Sequence, residues 1–168
     1  PGIGGHCIPI DPNYLSWKAK KIGISTSFIK LSSKINLKVL SFLKSKIFQV
    51  LKEKKIKINK AKILILGVAY KRDIDDYRES ASIKLLNTLI KKNVRVSFSD
   101  PYVKILETGN KAKKLKGIRL NSQKIKNFDL VVLMTDHEKF NYEMIYKNSK
   151  LIIDCRGRYN LNQKVIRA

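Results

Sequence analysis

The chain has 168 residues, with 36 Lys and Arg against 13 Asp and Glu and a formal net charge of +23. That length accommodates one ordinary domain with an appendage and can bury a core, and 43% hydrophobic residues exclude a disordered basic tail. No apolar run approaches the ~18 residues that a membrane helix needs. The two cysteines, Cys7 and Cys155, cannot build a disulfide framework, which points to a reducing, cytoplasmic setting.

The charge itself says less than its size suggests. Of the basic residues 29 are Lys and 7 are Arg, beside 22 Ile and 12 Asn. All three common types share AT-rich codons, so base composition accounts for part of the excess. Residues 1–60 carry 13 basic and 2 acidic residues, and residues 61–168 carry 23 and 11. A nucleic-acid binder concentrates charge on one face and reads base edges with Arg. Solvated lysine on helix surfaces fits better, although such a field still attracts polyanions at low salt. On charge alone, a basic nucleic-acid-binding protein stays open.

In chain order, residues 1–23 open with PGIGGHCIPIDP. Pro1 in place of Met, with glycine crowding in at once, reads as a fragment whose beginning lies elsewhere. Asp11-Pro12 predicts a turn into a short helix that Gly23 ends. From Ser25 to Lys55 there is neither Gly nor Pro. Phe28, Leu31, Ile35, Val39 and Phe42 recur at steps of three and four, and Leu43, Ile47, Val50 and Leu51 continue a neighbouring stripe. This predicts an amphipathic helix of about 30 residues, roughly 45 Å long. Apolar residues on two faces imply a partner on each. Residues 52–60, KEKKIKINK, read as an exposed linker.

From Ala61 the period changes. Lys62–Gly67 is a short apolar run with a glycine stop, as a buried parallel strand requires. Ser80 or Ser82 would cap a helix through Ile83, Leu85, Leu86, Leu89 and Ile90. Val94–Ser99, Leu130–Met134 and Leu151–Asp154 are three further strands. The alternation predicts an α/β fold: a region over residues 1–60 that holds the opening loop and the long central helix, followed at 61–168 by a doubly wound, Rossmann-like parallel-sheet domain. Ligands of such sheets bind beyond the carboxyl ends of the strands.

Three groups of residues stand where chemistry is expected. The first strand ends in Gly67-Val-Ala-Tyr70-Lys71, without the G-x-G-x-x-G turn of a dinucleotide site. Tyr70, Lys71, Arg72 and Arg78 stand there instead, before a helix start, where cations suit a phosphate; a solvated loop is the other reading. Arg156 and Arg158 follow the fourth strand and would converge with Lys71 on one anion, unless Asp154 pairs with them and makes them structural. In Gly4-Gly5-His6-Cys7-Ile8-Pro9-Ile10-Asp11, glycines admit a ligand close to the backbone and expose amides. Cys7 near a helix start can serve as a nucleophile, with Asp11 orienting water or a proton; an inert packed cysteine stays open. Metal is the weaker reading, because His137 and Cys155 stand apart from this cluster.

Taken in order, Gly4-Gly5-His6-Cys7-x-Pro9-x-Asp11, the long helix, Leu66-Gly-Val-Ala-Tyr70-Lys71-Arg-Asp73, Asp76-Tyr-Arg78-Glu79-Ser80, Asp100-Pro101 and Asp154-Cys-Arg156 resemble the UDP-glucose/GDP-mannose dehydrogenase family of nucleotide-sugar 6-dehydrogenases. His6 and Ile10 make the loop most similar to the UDP-N-acetylhexosamine branch, in particular the UDP-N-acetylglucosamine enzymes of surface-polysaccharide pathways. The resemblance implies a four-electron oxidation of the sugar C6 alcohol to a carboxylate with two NAD. Cys7 would be the nucleophile that forms a thiohemiacetal and then a thioester, and Asp11 would assist with water and protons. Gly4, Gly5, Tyr70, Lys71 and Arg156 would contact the UDP-sugar, and Arg78 would reach NAD. It also implies a cytoplasmic homodimer through the long helix, with no metal, membrane or specific nucleic-acid partner. The family's NAD fingerprint and its catalytic Lys and Asn would lie upstream, so these 168 residues alone would not turn over; a non-catalytic domain that keeps the UDP-sugar pocket is the other reading.

Overall fold

The computed structural model describes residues 1–108 and 113–168. Helix α1 spans Cys7–Lys21 and α2 spans Ser27–Glu53. The start of α1 differs from the sequence expectation, since Asp11 and Pro12 lie inside the helix rather than in a turn before it. Pro9 falls in the first turn, where no amide has an intrahelical acceptor, so proline is tolerated there. Pro12 forgoes its bond to the turn before it, while Asn13 Nδ2 donates to the Pro9 carbonyl at 2.8 Å. Gly23 ends the helix as expected, at φ +77, with the Ile24 amide returning to the Ala19 carbonyl at 3.0 Å. The linker contains a 3-10 turn at Ile58–Lys60.

The second region follows as β1 (Lys62–Leu66), α3 (Ala81–Lys91), β2 (Arg95–Ser99), β3 (Ile105–Thr108), β4 (Lys113–Lys116), α4 (Ser122–Lys126), β5 (Leu130–Leu133), α5 (Tyr142–Asn148), β6 (Ile152–Asp154) and β7 (Val165–Arg167). Five strands form one parallel sheet in the order β2-β1-β5-β6-β7, and β3 and β4 make a separate antiparallel pair. Each of the four expected strands lies within this sheet. Ser80 is the cap of α3, its Oγ accepting from the Ser82 amide at 3.2 Å.

Both faces of the sheet are covered, which is why its strands read as unbroken apolar runs. Ile63, Ile65, Val132 and Ile153 face one layer, where they meet Leu85, Leu86 and Leu89 of α3 and Leu43, Ile47 and Leu51 of α2. Leu64, Leu66, Val131 and Ile152 face the other, against Ile125 of α4 and Ile145 of α5. The C-terminal half of α2 is therefore a layer of this domain. Its N-terminal half leaves the sheet behind, with Phe28 at 81% and Ile35 at 53% exposure. The chain winds outward from β1 to β2 and then returns to β5 on the other side of β1. The connections leaving β1 and β5 diverge, which makes the carboxyl edge between them the switch point of the sheet.

Candidate functional site

Gly67 closes β1 with φ +77. A Cβ there would collide with the backbone and side chain of Thr135, just after β5. Only glycine lets the two connections touch, and Thr135 Oγ1 then donates to the Ala69 carbonyl at 2.7 Å. Tyr70 and Lys71 follow at once, so they sit at the switch point of the sheet. The Tyr70 amide donates to the Asp76 carbonyl at 3.0 Å, which folds residues 70–76 back on themselves.

The glycine-rich opening docks onto this loop. A Cβ on Gly4 would strike Tyr70 and the Glu79 carbonyl, and one on Gly5 would lie 2.9 Å from the Tyr70 ring. The Gly5 amide donates to the Arg78 carbonyl at 2.9 Å, so it is used within the fold, and the pair works by close approach to Tyr70. The Ile3 amide donates to Asn36 Oδ1 of α2 at 2.8 Å. This docking brings Cys7, the first residue of α1, beside the carboxyl edge with its thiol exposed. Asp11 is four residues on, on the same side of the helix, and is exposed.

A small cavity of about 20 Å³ is lined by Gly4, Tyr70, Ser80, Thr135 and Arg156 among others. It joins three of the expected site residues; Lys71 does not line it and is exposed. Arg156 Nε donates to Asp136 Oδ1 at 2.8 Å, and among the described residues its other donors carry no side-chain partner. Asp154 is fully buried and turns the chain after β6, accepting from the amides of Arg156, Gly157 and Tyr159 at 2.8–2.9 Å. Its side-chain partner is Arg167 at 3.5 Å, which leaves Arg156 outside that pair. Arg158 stacks instead on the Tyr142 ring, 4.3 Å from its centroid. Arg78 forks onto Asp76 with contacts of 2.7–3.1 Å, and the guanidinium holds that carboxyl below its ordinary range.

Beneath Tyr70 and Lys71 lies a buried polar cluster. Asp100 Oδ2 accepts from the Val68 amide at 2.7 Å, the Ala69 amide at 3.1 Å and His137 Nε2 at 3.0 Å. Its Oδ1 accepts from the amides of Tyr102 and Val103 at 2.8 and 3.0 Å. Burial pushes this carboxyl up, but His137 and the amides outweigh it and hold Asp100 at about 2. Cys155 is different in kind: burial pushes its thiol up to about 12, and its Sγ lies 3.8 Å from Met134 Sδ, as in a packed rather than a reactive thiol. Thr135, Asp136 and His137 are the site-edge residues that sequence reasoning passed over. They follow a strand at its carboxyl end, and the rule applied to Lys71 and Arg156 applies to them equally.

A parallel sheet whose switch point is bounded by an aromatic, an arginine and a docked glycine loop defines a nucleotide-binding α/β domain. Residues 64–161 match the UDP binding domain of the UDP-glucose/GDP-mannose dehydrogenase family, and residues 1–38 match its central domain. The chain belongs to that family. It is 33% identical over 96% of its length to the UDP-N-acetyl-D-mannosamine dehydrogenase of Methanococcus vannielii, of which it covers 36%. It is 30% identical over 61% of its length to the UDP-N-acetyl-D-glucosamine 6-dehydrogenase of Pseudomonas aeruginosa, covering 25% of that protein. Among solved structures, the UDP-D-ManNAc dehydrogenase of Pyrococcus horikoshii superposes with a TM-score of 0.79 at 30% identity, over 99% of this chain and 38% of the other. The chain thus spans little more than a third of the length of such relatives.

Proposed function

We propose that residues 1–60 supply the catalytic-cysteine loop and part of the central helical dimerisation region, and residues 61–168 the UDP-sugar domain, of an NAD-dependent nucleotide-sugar 6-dehydrogenase. The substrate is a UDP-N-acetylhexosamine, the class named for the relatives from Methanococcus and Pseudomonas. The observation that carries this reading is the docking of the cysteine loop on the loop after β1: Gly4 and Gly5 against Tyr70, and the Gly5 amide on the Arg78 carbonyl. It puts an exposed thiol at the edge where a parallel sheet holds its ligand.

In this reading Arg156, steadied by Asp136, donates its remaining N–H groups to the diphosphate. Lys71 adds a second cation, and Tyr70 backs the glycine loop against the sugar. Cys7 Sγ adds to the C6 aldehyde carbon to give a thiohemiacetal. At the thioester stage water attacks the same carbon, Asp11 takes a proton from it, and the C–S bond breaks to return the thiol with the carboxylate. The turn after β1 does not fit a dinucleotide, because Gly67 is pressed on Thr135 and no further glycine follows before Gly109. When bound, NAD would supply the hydride acceptor for both oxidations, alcohol to aldehyde and thiohemiacetal to thioester, and Arg78 would be this chain's contact to it. The setting is cytoplasmic, where Cys7 stays reduced. The exposed stripe of α2 pairs two copies.

In the complete enzyme Cys7→Ser should abolish carboxylate formation while leaving UDP-sugar affinity within about a few-fold, since the lost group acts in the covalent step rather than in binding. Undiminished acid production by that variant would overturn the assignment.

A further inference from the structure

We infer that His137 and Asp100 form a positioning clamp for the Tyr70–Lys71 segment, with the imidazole as the element that ties the two ends of the segment together. The inference rests on the reading of Lys71 as a nucleotide-sugar contact. Its basis is how residues 68–73 are held. On the near side, one oxygen of Asp100 collects the Val68 and Ala69 amides at 2.7 and 3.1 Å. On the far side, the Asp73 amide donates to His137 Nδ1 at 2.9 Å. The same ring reaches the same Asp100 oxygen through Nε2 at 3.0 Å.

The bonding states are forced. Nδ1 accepts from an amide, so Nε2 carries the hydrogen that goes to the carboxylate. A single side chain must therefore accept at one end and donate at the other, across the width of an imidazole. Both groups are buried, His137 at 0% and Asp100 at 5% exposure, where an unmade hydrogen bond is costly. The far anchor is also a strained position: Asp73 has φ +58, a conformation that an L residue keeps only when its surroundings hold it. Those surroundings are His137 at its amide, the Glu138 amide and the Tyr102 hydroxyl on its Oδ1 at 2.9 and 3.3 Å, and Arg72 Nε 3.2 Å from its Oδ2. Released at Asp73, the segment would relax toward ordinary backbone angles and carry Lys71 with it. Neither His137 nor Asp100 lines the cavity with Tyr70 and Arg156, so the pair acts through the backbone.

Two substitutions divide the clamp. His137→Asn keeps an acceptor near the Nδ1 position and loses the donor to Asp100; His137→Gln keeps a donor near Nε2 and loses the acceptor for Asp73. Titration calorimetry of UDP with the 168-residue chain should show each weakening affinity about tenfold, the equivalent of 1.4 kcal/mol. The deciding readout is a double-mutant cycle. In a Lys71→Ala background the same substitutions should change UDP affinity by less than about twofold, because the contact they position is gone. Losses equal in both backgrounds would mean that His137 supports the fold generally, and would overturn the clamp, as would unchanged affinity in both single variants. If Lys71→Ala by itself leaves UDP affinity intact, the reading of Lys71 fails and the clamp fails with it. Should neither His137 variant fold, amide exchange decides. UDP should slow exchange at Val68, Ala69 and Asp73 in the unmodified chain and leave it unchanged in Lys71→Ala; equal slowing in both chains would overturn the inference.

Discussion

Arg156 and Arg78 are each held by one carboxylate, Asp136 and Asp76, which fixes their direction before any ligand arrives. A guanidinium has five donors, and Arg156 spends one of them on Asp136. Arg156→Ala should therefore weaken UDP binding roughly ten- to a hundredfold by calorimetry, since a charge-assisted hydrogen bond contributes ~1.5–3 kcal/mol. Lys147, in an exposed pair with Glu143 at 2.6 Å, is the comparison, and Lys147→Ala should change affinity little. Equal losses would reduce the site to bulk charge. Asp100 makes a prediction about stability. Its carboxyl lies at about 2 in the fold against an ordinary 3.8. A carboxylate with a depressed folded value contributes stability that is complete above the unfolded value and disappears as pH falls through the folded one. Between pH 5 and pH 2 the unmodified chain should lose about 2 kcal/mol more, in urea midpoints, than Asp100→Asn loses over the same range. Parallel pH profiles would remove Asp100 from that account.

At the scale of elements, α2 carries two roles in succession. Ile47 and Leu51 are fully buried against the sheet, while Phe28, Ile35 and Phe42 are exposed. Charging the exposed stripe with Ile35→Glu and Phe42→Glu should leave the fold intact and give monomers by sedimentation. If the unmodified chain is already monomeric at high concentration, the pairing proposed for this helix is wrong. The helix was legible in the sequence because nothing in Ser25–Lys55 interrupts a three-to-four residue period. Periodicity places both stripes and cannot say which one the sheet covers. The start of α1 was hidden by Pro9 and Pro12, which signal a turn locally, although the first turn tolerates Pro9 and the helix runs on through Pro12. The pair β3–β4 and the elements α4, α5 and β7 went unassigned. They are three to seven residues long, and in segments so short helix and strand periods do not separate.

For the whole molecule, sequence alone determined the order of the long helix, α3 and four of the sheet's strands, and the class of sheet, and it pointed to the carboxyl edge as the place for a ligand. Buried parallel strands must be apolar throughout, and the ends of such runs are visible in one dimension. Sequence also marked Cys7, Tyr70, Lys71, Arg78 and Arg156, because cations and thiols at strand and helix ends are local features. Only the tertiary structure decided what those residues do to one another. It packed Gly67 against Thr135 and both opening glycines against Tyr70, turned Asp154 onto backbone amides, and put His137 between Asp100 and Asp73, 37 and 64 residues away in the chain. Contacts at that separation depend on the path of the chain through the sheet, and a one-dimensional pattern carries no record of which loop ends meet.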